Sequence, residues 1–194
     1  TCGDANGAAA GVTPVNDCPT GFVYDTAKVN ELCAGTTCAA GSTDKTTCCV
    51  AVATCGDKNG AASGTEAVDD ADCGTGFLYD SSKSSSKCVG ASCDMGVSDD
   101  KAACCVAQAT CGDANGAAAG VAPVNDCPSG FVYNAVKVNE LCAGKTCAAS
   151  TTDKATCCVA VATCGDKNGA TSGTEAVTDS DCGTGYLYDD TKSE

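Results

Sequence analysis

Apolar positions along this chain fall in short clusters broken by turn residues, and no stretch keeps the spacing of an amphipathic helix. The segments GFVYD (Gly21–Asp25), GFLYD (Gly76–Asp80) and GYLYD (Gly185–Asp189) alternate apolar and other positions after a glycine, which predicts short strands with Phe22 and Tyr24 on one side. The segments VAVAT (Val50–Thr54), VAQAT (Val106–Thr110) and VAVAT (Val159–Thr163) are β-prone, with Val50 and Val52 on one face. GDANG and GDKNG carry Asn-Gly, a strong tight-turn signal. CAGTTC, CVGASC and CAGKTC read as tight loops around a glycine. The elements expected are small β-hairpins, turns and irregular loops, with no long helix.

These elements recur. Four units begin at Thr1, Thr54, Thr110 and Thr163, which divides the chain into cysteine-rich repeats over 1–53, 54–109 and 110–162 and a partial repeat over 163–194. The third unit matches the first at 44 of 53 positions and the fourth matches the second at 25 of 32, so the true period is a pair of modules, 109 residues long. A chain that starts in mid-pattern and stops after two of six cysteines reads as a processed or partial segment of a longer secreted array. Each seam is short: Cys49 and Cys55 are separated by five residues, where a flexible linker would be rich in Gly, Ser or Pro. With both ends pinned by cross-links, the seams should be extended segments that hold neighbouring modules at fixed angles, as a stiff string of beads.

Composition explains why cross-links are needed. Leu, Val and Phe together supply 25 of 194 residues, there is no Ile or Trp, and much of the 43% hydrophobic content is Ala and Cys. That large-apolar share lies below the roughly one-fifth at which an acidic chain stays disordered. Burial at about 25 cal/mol per Å2 cannot then offset a backbone entropy of about 1–2 kcal/mol per residue. The 20 cysteines supply the difference, because a native disulfide contributes about 2–4 kcal/mol.

All of them are read as disulfide partners: Cys2, Cys18, Cys33, Cys38, Cys48 and Cys49; Cys55, Cys73, Cys88, Cys93, Cys104 and Cys105; Cys111, Cys127, Cys142, Cys147, Cys157 and Cys158; and Cys164 and Cys182. Adjacent cysteines rarely bond to each other, so each pair should reach two partners. Six cysteines allow 15 connectivities, which the sequence does not resolve; the preferred set pairs Cys33 with Cys38, and Cys48 and Cys49 with Cys2 and Cys18 in either order. No cysteine of a complete module should be free. Such a framework places the protein in an oxidising compartment, secreted or at the extracellular surface.

Charge and residue inventory exclude several functions. A net charge of −14 with eleven Lys and no Arg offers no basic stripe for nucleic acid. No apolar run approaches the ~20 residues that span a bilayer. Without His or Arg the usual general base, phosphate clamp and zinc imidazole are missing, and the chain is not expected to be an enzyme. Asp4, Asp57, Asp99 and Asp100 read as turn or solvated-surface residues.

No cofactor is expected beyond weak calcium binding by the acidic clusters DDADC (Asp69–Cys73) and TDSDC (Thr178–Cys182). An EF-hand loop counted from Asp4 fails, since Gly comes too early and the twelfth residue is Val15. The cysteine spacings are not those of zinc knuckles. The chain has no Asn-x-Ser/Thr sequon, only the rare Cys variant at Asn16-Asp17-Cys18 and Asn125-Asp126-Cys127, while 37 Ser and Thr leave room for O-linked glycans.

The pattern C-G-D … D-C … G-F … C-x-G-x-x-C … C-C is carried by Cys2, Gly3, Cys18, Gly21, Phe22, Cys33, Gly35, Cys38, Cys48 and Cys49 and by their later counterparts. It resembles the cysteine-rich tandem repeats of large secreted proteins of algae and other protists, whose surfaces carry fibrils and flagellar hairs. The resemblance covers the whole chain and implies an extracellular, structural, polymer-like role with no catalytic residues to carry over. The leading expectation is a stiff disulfide-stabilised fibre or surface filament that self-associates. The alternative is a multivalent adhesive or carbohydrate-binding array, which repetition would favour through avidity, but each module has only two aromatics to offer a sugar.

Overall fold

The computed structural model describes residues 1–7, 12–60, 65–116, 120–169 and 175–192. It divides into two units, Thr1–Val106 and Ala107–Glu194. The architecture is small and disulfide-rich, with nine disulfides, short antiparallel strand pairs and loops.

In the first unit, β1 (Phe22–Tyr24) pairs antiparallel with β2 (Cys49–Ala51), in the register Phe22 to Ala51 and Tyr24 to Cys49. β3 (Phe77–Tyr79) pairs with β4 (Cys105–Ala107). In the second unit, β5 (Phe131–Tyr133) pairs antiparallel with β6 (Cys158–Ala160). The alternating segments GFVYD and GFLYD therefore form strands as their pattern predicts, whereas GYLYD does not, since residues 186–188 belong to no strand. After each, Asp25, Asp80 or Asn134 turns the chain into one turn of 3-10 helix, its side chain accepting the N–H two residues on.

Short helices accompany the strands. α1 (Lys45–Cys48), α3 (Ser98–Cys104) and α4 (Lys154–Cys157) each end on the first cysteine of an adjacent pair. α2 (Asp70–Cys73) and α5 (Asp179–Cys182) occur only in the even repeats. The cause is local. In the odd repeats Pro19 and Pro128 follow Cys18 and Cys127 and disfavour a helical cysteine. In the even repeats Gly74, at φ 74°, closes α2 instead.

Each complete repeat has its own small core. That of the second consists of Ala53, Cys55, Val68, Cys73, Cys88, Cys104 and Cys105, and the others have equivalent Cys, Val and Ala residues. Half-cystines form the larger part of it, as the scarcity of large apolar side chains requires. Phe22 and Tyr24 lie against the first core but remain half-buried. Among the described residues no helix is long and apolar enough to cross a membrane.

Candidate functional site

The adjacent cysteines organise each module. Cys48 is the last residue of α1, whereas Cys49 is extended at φ −116°, ψ 150° and begins β2. A helix-to-strand break between neighbouring residues sends their side chains apart. Cys48 bonds Cys2, and Cys49 bonds Cys18. Cys33 and Cys38 close the short loop. The same order recurs as Cys55–Cys104, Cys73–Cys105 and Cys88–Cys93, and as Cys111–Cys157, Cys127–Cys158 and Cys142–Cys147. Of the two orders in the preferred set, the structure takes the one joining the first cysteine of the module to the helical member of the pair.

Cys164 and Cys182 depart from the expected disulfide framework, being unpaired. Their equivalents bond to an adjacent cysteine pair, and the fourth repeat holds no such pair.

A buried carboxylate secures the short loop, which the sequence reading missed. Asp44 is only 2% exposed and accepts hydrogen bonds from Ala34 N and Ala39 N, each at 2.8 Å. These two N–H groups hold its carboxyl below the usual carboxylate range. Asp100 accepts from Val89 N at 2.6 Å and Asp94 N at 2.8 Å, and Asp153 does the same for Ala143 N and Ala148 N. Asp100 is therefore no solvated turn residue. It is 2% exposed and ties together both sides of the Cys88–Cys93 loop. The signal was present as D-K-x-x-C-C at Asp44, Asp100 and Asp153.

The Lys of that motif has its own partner, since the ammonium groups of Lys45, Lys101 and Lys154 sit 3.6–3.7 Å from the ring centres of Phe22, Phe77 and Phe131. Replacing Asp100 by Asn would leave one acceptor oxygen for two N–H groups whose bonds to it are part-buried. The expected cost is about 1–3 kcal/mol in the second repeat, read as faster amide exchange at Val89 and Asp94 than in the parent. Unchanged exchange there would remove the carboxylate from the account.

The acidic clusters weighed for calcium have partners within the chain. Asp69 and Asp72 form a reciprocal capping box at the start of α2, and Asp70 accepts from Tyr79 N at 2.7 Å. Lys58 donates to Asp72 at 2.6 Å and lies 3.2 Å from Glu66. The Lys58 ammonium is the main cause holding the Asp72 carboxyl below its ordinary value, and Asp72 in turn raises Lys58. In the fourth repeat Asp181 is lowered to about 2, first by hydrogen bonds from Thr178 and then by Lys167. In both clusters a lysine ammonium of the chain pairs with a carboxylate, Lys58 with Asp72 and Lys167 with Asp181. Chelation is expected to leave the melting profile unchanged, and a rise in Tm on adding calcium would show that these carboxylates hold an ion.

The seam between the first two repeats is bonded on both sides. Val52 N donates to Gly21 O of the first repeat at 3.0 Å, and the next residue, Ala53, donates to Gly90 O of the second at 2.9 Å. Cys88 N closes the contact by donating to Ala53 O. Ala53 is 1% exposed and belongs to the second repeat's core. Lys87 of the second repeat lies beside Gly21, where an added Cβ would come within 2.8 Å of its Nζ. In the second unit Val161 N donates to Gly130 O, and Ala109 N to Gly144 O. No protein-family model, curated protein or solved structure matches the chain.

Proposed function

We propose that this protein is a structural component of an extracellular fibre or surface filament. The reading rests on one observation above the others: consecutive residues, Val52 and Ala53, hydrogen-bond into consecutive repeats, so the seam has no unbonded residue to act as a hinge. Nine disulfides fit an oxidising, secreted location.

In this proposal the modules follow one another as a rod. Because odd and even repeats differ, the rotation alternates and the geometry recurs every second module, which generates a helical path as in other one-dimensional arrays. The chains associate with one another into filaments, and exposed Ser and Thr accept O-linked glycans. Electron microscopy of the native material tests the reading. Filaments of uniform width are expected, and monodisperse particles would contradict it.

A further inference from the structure

Each complete module stacks one disulfide upon another. The Sγ of Cys33 lies 3.7 Å from the Sγ of Cys48, although the two belong to different bridges. The equivalent contacts are 3.8 Å between Cys88 and Cys104 and 3.6 Å between Cys142 and Cys157. The sulfur of Cys2, Cys55 or Cys111 completes each group, with all three sulfurs within 4.8 Å of one another.

The two stacked bridges differ in access. Cys2 and Cys48 are fully buried, as are Cys55, Cys104, Cys111 and Cys157. Cys38, Cys93 and Cys147 are partly exposed, as is Cys33 in the first module, whereas Cys88 and Cys142 are buried. In the second and third modules a thiol arriving from solvent therefore meets the short-loop bridge at Cys93 or Cys147, and the sulfur it displaces is the one in contact with the buried bridge.

We propose that Cys33–Cys38, Cys88–Cys93 and Cys142–Cys147 are exchange sites for an external thiol, and that the sulfur stack passes the exchange inward. In the first step a thiolate attacks Cys38 Sγ. A bond forms between the incoming sulfur and Cys38, the Cys33–Cys38 bond breaks, and its electron pair leaves on Cys33 as a thiolate. In the second step that thiolate attacks Cys48 Sγ. The Cys33–Cys48 bond forms, Cys2–Cys48 breaks, and Cys2 leaves as a thiolate. Two S–S bonds exist before and after, and one thiolate enters while one remains, so no oxidant or reductant is consumed. The module ends with an adduct on Cys38 and a thiol at Cys2.

The test uses the full chain carrying Cys164→Ser and Cys182→Ser, so that no other thiol contributes. It is incubated folded with glutathione, acid-quenched, alkylated and mapped by mass spectrometry. Glutathione is expected on Cys38, Cys93 and Cys147, with alkylation on Cys2, Cys55 and Cys111 exceeding that on Cys18 and Cys49 by about tenfold. Adding Cys38→Ser leaves Cys33 as a thiol beside the stack and should divide the alkylation between Cys33 and Cys2. Adding Cys33→Ser instead leaves Cys38 outside the stack and should confine it to Cys38. If Cys38→Ser does not fold, the mapping of the parent carries the test alone. Absence of adducts, adducts on Cys18 or Cys49 first, or alkylation of Cys33 with none at Cys2 would overturn the proposal.

Discussion

Removing the Cys2–Cys48 bridge by the double change Cys2→Ala and Cys48→Ala is expected to unfold the first repeat at ordinary temperature. The bridge closes a sequence separation of 46 residues, against five for Cys33–Cys38. Loop-closure entropy then assigns about 4 kcal/mol to the long bridge and about 2 kcal/mol to the short one. The core it leaves behind is Val15, Ala40 and the remaining cysteine bridges, with Phe22 and Tyr24 only half-buried against it, too little apolar surface to hold the chain alone. Circular dichroism and amide exchange of the double variants should rank them in that order, with the rest of the molecule still protected. If the long-loop variant keeps native exchange rates in residues 12–49, stability comes from packing, and the disulfide framework loses its energetic role.

Much of this organisation was legible in the chain because it is written at short range. The alternation in GFVYD predicts a strand, although the same pattern in GYLYD, without a partner strand, forms none, and Asn-Gly specifies a turn: Gly60, at φ 59°, would set a Cβ 2.5 Å from Ala91 O. The adjacent cysteines announced two partners, yet their order depends on the helical break between Cys48 and Cys49. A four-residue helix contains too little periodicity to betray itself. Asp44 was hidden for a different reason. Asp is common in turns, and its burial depends on a loop beginning ten residues earlier that wraps its N–H groups around the carboxylate. The acidic cluster at Asp69–Asp72 looked like a cation site because the lysine that serves it, Lys58, is fourteen residues from Asp72.

Inserting two glycines between Val52 and Ala53 is expected to leave both flanking repeats folded while abolishing their fixed orientation. The added residues supply up to about 7 Å of slack, so Val52 can keep its bond to Gly21 and Ala53 its bonds to Gly90 and Cys88 without constraining one another. Disulfide mapping should be unchanged, and under the fibre proposal filament assembly should fail. Filaments indistinguishable from the parent would mean that the seam does not set the geometry. The opposite change, Ala53→Pro, removes the N–H that Gly90 O accepts and should loosen the start of the second repeat.

The rigidity of that seam is measured most directly by residual dipolar couplings on the unmodified protein, fitted separately for residues 12–52 and 65–105. One alignment tensor of common magnitude and orientation for both repeats is the predicted result. Two tensors that differ, with one reduced in magnitude, would show the repeats moving independently and contradict the account.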